Sequence, residues 1–424
     1  MKYFGICVVF IATNVFAGEY LTLKQAVALA MDQNHQIAIA RNNAEISANK
    51  VNIGNADLLP EISITGGASY SDDETGAGSS TQTSARLQTS YTLFDGFGNV
   101  YRFKKLKAGG RIGELDARNQ VESALIQVSE GFFEAASAYE NLQIARELVS
   151  ISQERLARAE NRSAYGRARS IDVLSARVAL NADSVTLAEA GLRWDQARRT
   201  LNLLLGRDIG YHFIVDTTVQ FRGLSWSEEE LQQKAAVNNA SYLGAKYRMT
   251  QAKYELGSKT AAHMPRIDLS ASYGYNQTAS DLRIGLDDPS RSIRAGASFS
   301  FNLFNGFKTS IERQNARLAL DNEALLTNEA RLTLEKDVAN GYEAFRNSLE
   351  IYRLERRSLD VAQLNFQRTQ ELYHLGQVTI TEFREAQLDL IRAKSSLSGA
   401  KYDARINEMI LMRLAGDLVH DIRD

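Results

Sequence analysis

The sequence predicts a mostly α-helical fold with a membrane β-barrel portion. Three observations predict it: a tandem repeat spanning most of the chain, long proline-free stretches with coiled-coil spacing, and four segments of about ten residues in which apolar and polar side chains alternate. Each element follows from one of these patterns.

The repeat comes first, because repeats decide how every other element is read. "TLFDGFGN" begins at Thr92 and "NLFNGFKT" begins at Asn302, an offset of 210. The same offset pairs Gly131 with Gly341, Phe132 with Tyr342, Gly166 with Gly376, Ala176 with Ala386 and Gly206 with Gly416. Upstream the offset is 205, pairing Asn34 with Asn239 and Pro60 with Pro265, so the second copy carries five extra residues between its proline and its "LF" motif. Two structural repeats, about 23–206 and 228–416, therefore make up one protomer, 18–424, with a linker at 207–227.

The first seventeen residues, "MKYFGICVVFIATNVFA", combine one Lys, an apolar run and small residues at Val15 and Ala17. They read as a secretory signal peptide, 1–17, too short to span a membrane. Cys7 lies inside the apolar run rather than at its end, which excludes it as a lipidated residue.

Only three prolines occur in 424 residues, and none between Pro60 and Pro265, so long helices are permitted. Val121, Leu125, Val128, Phe132, Ala135, Tyr139 and Leu142 alternate spacings of four and three, as do Val338, Tyr342, Phe345, Leu349 and Tyr352. That spacing is a coiled-coil seam. A helix from about Phe97 to Tyr165 would be roughly 100 Å long, and Phe307 to Tyr373 repeats it. Gly166 and Gly376 then reverse the chain into return helices of about 35 residues, capped by "SID" and "TITE".

The strands are expected at about 58–71, 84–95, 263–276 and 292–304. Ile62, Ile64, Leu87, Tyr91, Leu269, Tyr273, Ile293 and Phe299 fall on one parity, and Glu61, Ser63, Arg86, Gln88, Ser270, Ser272, Arg294 and Ser298 on the other. This is the pattern of a transmembrane barrel with a wet lumen. The stretches "DDETGAGSSTQT" and "NQTASDLRIGLDDPS" read as the intervening loops, with Asp72, Asp73 and Glu74 at a hairpin tip. Four strands cannot close a barrel alone, and an open edge in lipid leaves backbone groups unsatisfied, so further copies of the chain must complete it.

The ordered set of repeat, proline, "LFDG", "LFNG" and the turns "YGRARSIDVLSA" and "YHLGQVTITEFREA" resembles the TolC family of outer-membrane channel proteins. The resemblance implies a TolC-like homotrimer: four strands per protomer completing a 12-stranded barrel, a long coiled-coil periplasmic tunnel, and a small equatorial domain. It implies a location in the cell outer membrane, in contact with its lipid, with a periplasmic extension. The function implied is a passive exit duct of an efflux pump or type I secretion system, working with a periplasmic adaptor and an inner-membrane transporter. Matching the family's tip motif makes Glu382, Glu385, Asp172 and Tyr373 the periplasmic gate, and the turn residues Gly166, Arg167, Arg169, Gly376 and Gln377 the adaptor contact. Glu382 and Glu385 are three residues apart on one helix face, where trimer symmetry would gather six carboxylates and favour cations. The family's latch arginine falls on Val378, a departure that leaves any second constraint weaker or supplied elsewhere, with Arg167 and Arg169 as the candidates.

Enzyme chemistry is not expected. His35, His212, His263, His374 and His420 show no metal-ligand spacing, "GSKT" at 257–260 is no phosphate loop, and no G-x-S-x-G elbow occurs. No cofactor motif is present. A formal net charge of −2 gives no nucleic-acid footprint. The competing reading is a periplasmic coiled-coil adaptor or scaffold, which would need only one long hairpin and no amphipathic strand pairs.

Overall fold

The computed structural model describes residues 19–73, 78–165, 170–221, 223, 226–280 and 282–418. The expected signal peptide and the turn residues Gly166, Arg167 and Arg169 lie outside the described residues. In chain order the elements are β1 (Glu19–Leu21), α1 (Leu23–Gln33), α2 (His35–Asn49), β2 (Glu61–Asp73), β3 (Gly78–Phe94), α3 (Gly98–Ala164), α4 (Ser170–Leu205), β4 (Phe213–Val215), α5 (Glu228–Asn238), α6 (Ala240–Ala261), β5 (Arg266–Ala279), β6 (Ser290–Ser300), α7 (Lys308–Leu375) and α8 (Ile380–Ala415). The chain divides into two compact units. One comprises Met1–Ala38, Gln120–Ala235 and Asp337–Asp424, the other Ile39–Asn119 and Ala236–Lys336.

The first unit is helical around one apolar core. The seam residues Leu125, Val128, Phe132 and Ala135 of α3 pack with Leu201 and Leu205 of α4 and with Met409 and Met412 of α8. Fully burying a side chain of this size contributes about 1.5–3 kcal/mol. Close helix approach needs a small residue, and a Cβ on Gly131 would lie 2.6 Å from Leu204 Cδ1. The repeat copies this contact, with a Cβ on Gly341 falling 3.2 Å from Leu414 Cδ1. The 207–227 linker supplies β4, which pairs in parallel with β1 in the register Glu19↔Phe213 to Leu21↔Val215. Leu418, beyond the end of α8, is fully buried in the same core.

The second unit holds a four-stranded antiparallel sheet in the order β2-β3-β5-β6. Ile62↔Thr89, Ile64↔Leu87, Leu87↔Tyr273 and Tyr273↔Ile293 set the apolar parity on one face, with the serines, Gln88, Arg86 and Arg294 on the other. The strands exceed the expected loop boundaries. Gly78–Thr83 pairs with Asp73–Ala68, and Asn276–Ala279 extends β5, although composition marked both stretches as loop. Ser and Thr alternate there as well as any strand former, so ladder pairing overrides their turn preference. At the other end β6 stops at Ser300, short of the alternation that runs to Leu303.

The repeated "LF" motif is a strand-to-helix turn made twice. Gly96 and Phe97 have φ of 70° and 68°, and Gly306 and Phe307 have 68° and 65°. A left-handed non-glycine residue is uncommon, and here the same two-residue signature recurs at both copies. The phenylalanines clamp it: Phe94 meets Phe97 edge-on at 5.5 Å, and Phe304 meets Phe307 at 5.3 Å. Asp95 and Asn305 then accept the backbone N–H of Asn99 and Thr309 at the start of α3 and α7.

Candidate functional site at the α7–α8 turn

The turn between α7 and α8 is built from local rules. Gly376 adopts φ 76°, and its N–H donates to Tyr373 O while that of Gln377 donates to Leu372 O, at 3.1 and 2.9 Å. This pair of bonds is a Schellman cap, which needs the left-handed glycine. Thr379 then opens α8 with a capping box. Its hydroxyl accepts from Glu382 N at 3.2 Å, and its own N–H and hydroxyl donate to Glu382 Oε2 at 2.7 and 2.8 Å.

Both proposed gate glutamates are exposed. They are not equivalent. The Glu382 carboxylate is held by Thr379, whose backbone N–H first and hydroxyl second keep its pKa below the ordinary 4.5. Glu385, one turn further on, lines a cavity of about 510 Å³ shared with Arg155, Arg384, Asp389 and Arg392. Tyr373 is half-buried and stacks on Phe383, ring centroids 4.7 Å apart at 24°. Phe383 anchors a small core with Phe366, Ala386 and Leu390. Asp172 sits half-buried in the first turn of α4.

Beside this turn lies a polar cluster that sequence reasoning missed. Asp183 of α4 accepts from both terminal nitrogens of Arg384 of α8, at 2.8 and 2.6 Å, and from the Ser152 hydroxyl of α3. The Asp183 side chain is 3% exposed. Arg155 is buried too, and its Nε finds no partner among the described residues. Burial first, and the neighbouring Arg384 second, push the Arg155 guanidinium below the usual arginine range. A signal was available: buried Ala176, Ala190 and Ala197 mark every seventh residue of α4, and Asp183 occupies the one charged place in that series.

Among the described residues no helix is long and apolar enough to cross a membrane. The amphipathic sheet and the long helical hairpins define the class as an outer-membrane channel protein. Residues 26–207 and 231–417 match the model of the outer membrane efflux protein family, and the chain belongs to that family. It is 23% identical over 400 residues to the cation efflux system protein CusC of Escherichia coli (strain K12), covering 93% of this chain and 86% of CusC. Against the outer membrane protein TolC of Vibrio cholerae the identity is 22%, covering 92% and 89%. In fold it is similar to the Campylobacter jejuni CmeC outer membrane channel, with a TM-score of 0.78 at 18% identity over 93% of this chain and 86% of that one. The protein is thus an efflux channel of the outer membrane, as the sequence implied.

Proposed function

We propose that three copies of the chain form one channel, each supplying β2, β3, β5 and β6 to a twelve-stranded barrel. The observation that carries this is the sheet itself. Among the described residues strands β2 and β6 pair with no further strand on their outer sides, and the face bearing Ile62, Ile64, Ile293 and Phe299 is exposed. An apolar sheet with open edges cannot sit in lipid, whereas a closed barrel satisfies every backbone group. The helical hairpins then continue as a periplasmic tunnel, coupled through a periplasmic adaptor to an inner-membrane transporter that supplies the energy. The turn residues Gly376 and Gln377, with Gly166, Arg167 and Arg169, are its adaptor-facing end. CusC is named for cation efflux, so cations are the first cargo to test.

Gating at this end is assigned to Glu385 and Glu382 as rings of negative charge, and to Tyr373 with Asp172 as a latch. Cross-linking of the purified protein in mild detergent tests the assembly. A series ending at trimers is expected, and one ending at dimers would refute it. In planar bilayers, Tyr373→Phe combined with Asp172→Ala should raise single-channel conductance, and an unchanged conductance removes the latch.

A further inference from the structure

The polar face of the β2-β3-β5-β6 sheet is not uniformly neutral. Among its described side chains Arg266 and Asp268 neutralise each other, with Arg266 Nε donating to both carboxylate oxygens at 2.9 and 2.7 Å. Arg86 and Arg294 have no such acid. Neither takes part in any ion pair or hydrogen bond among the described residues, and both are exposed. The register places them together: Arg86 pairs with Gly274, which pairs with Ser292, and Arg294 pairs with Ser272. They are therefore two strands, roughly 10 Å, apart and offset by one side-chain row, roughly 7 Å.

Between them the face is hollow. A cavity of about 510 Å³ is lined by both arginines and floored by Ser90, Ser270, Ser272 and Gly296. The small residues are what make it. A Cβ on Gly296 would meet nothing within 4 Å, so that side of the hollow is open, whereas one on Gly274 would lie 2.8 Å from Ala85 O and 3.1 Å from Arg86 Cα and Cβ, so only glycine fits beside Arg86. The remaining charge at the cavity is Glu61, whose row, Glu61↔Ser90↔Ser270↔Gly296, is adjacent to that of Arg294 and two rows from Arg86.

We propose that this cavity binds a multivalent oxyanion, a solute carrying carboxylate or phosphate groups, held between the guanidinium groups of Arg86 and Arg294. A guanidinium offers a planar fork of donors matched to such oxygens. Two of them facing one hollow with no competing carboxylate between them select a ligand with at least two anionic groups. The placement of the site in a lumen rests on the channel reading, and trimer symmetry would then set six arginines around it, a charge arrangement that favours anions. The binding itself needs only the sheet. The barrel would thus hold anionic solutes at a point distinct from the carboxylate rings at the helical end.

The experiment is block of single-channel current by citrate and by tripolyphosphate in planar bilayers, with the full chain. Block by either is expected, its half-blocking concentration rising about tenfold or more in Arg86→Gln/Arg294→Gln. Arg86→Lys/Arg294→Lys should retain part of it, and Glu61→Gln should tighten it. Block by tripolyphosphate alone assigns phosphate, and by citrate alone carboxylate. Open channels blocked equally in the wild type and in Arg86→Gln/Arg294→Gln overturn the site. A wild type that conducts nothing bears on the channel and its gate, not on the site. Calorimetric titration of the same anions into the detergent-solubilised protein then decides the site: arginine-dependent heat supports it, and none overturns it.

Discussion

Arg384 grips Asp183 through both terminal nitrogens across 201 residues of sequence, joining α8 to α4 beside the α7–α8 turn. The pair is largely out of water, with side chains 23% and 3% exposed. A carboxylate so placed is tolerable only while its partners remain, and Arg155 already lies in the same cluster with an unpartnered Nε.

Arg384→Ala should therefore destabilise the helical unit by about 3–5 kcal/mol, because it strands a buried carboxylate. Asp183→Leu combined with Arg384→Met should cost much less. Helix melting followed by circular dichroism checks both, and equal losses for the single and double variants would contradict the buried-pair account.

The two "LF" turns are alike in backbone but not in surroundings. At Gly306 a Cβ meets nothing within 4 Å, so Gly306→Ala should cost only the left-handed penalty, about 1–2 kcal/mol. At Gly96 the added Cβ would lie 2.5 Å from Met264 Cβ and 2.6 Å from Ala261 O. Gly96→Ala should be clearly the worse of the two in folded yield from membranes and in melting temperature.

Glu382 and Glu385 should separate by experiment. Glu385→Gln is expected to lower cation selectivity, read as a reversal-potential shift in a salt gradient, while leaving the start of α8 protected. Glu382→Gln should lower selectivity and also speed amide exchange around Thr379–Phe383, because it weakens the capping box.

The same cap sets a pH dependence. Thr379 holds the folded pKa of Glu382 below its ordinary 4.5. A depressed carboxylate stabilises fully above the unfolded value and loses that contribution as pH falls through the folded one. Amide protection of the first turn of α8, corrected for intrinsic rates, should thus be constant above about pH 5.5 and decline below 4.5. In Glu382→Gln the decline should vanish.

On the sheet, Leu269→Arg or Phe299→Arg places a charge on the apolar face and should cost about 2–4 kcal/mol near mid-membrane. Ser270→Arg and Ser298→Arg, on the opposite face, should be tolerated. Heat-resistant migration on unboiled denaturing gels distinguishes them.

What the sequence determined by itself is whatever a periodicity or a short local rule can encode. Heptad spacing placed Leu125, Val128, Phe132 and Val338 in the buried seam, alternation set the two faces of the sheet, and "LGQVTITE" announced a glycine reversal followed by a capped helix. The repeat of "LFDG" as "LFNG" marked two equivalent turns, though not that Phe97 and Phe307 would themselves be left-handed. Strand ends were misjudged where Ser and Thr serve loops and ladders equally, so that only the pairing of Gly78 with Asp73 decided between them. For the candidate site, spacing put Glu382 and Glu385 on one face and a local cap ties Glu382 to Thr379, but only the tertiary structure decided that Glu385 opens onto a cavity. It alone joined Ser152, Asp183 and Arg384, and alone brought Arg86 within two strands of Arg294. The physical reason is the same in each case: a cap or a heptad is fixed by neighbours within one or two turns, whereas a pairing across two hundred residues is selected by how helices and strands pack.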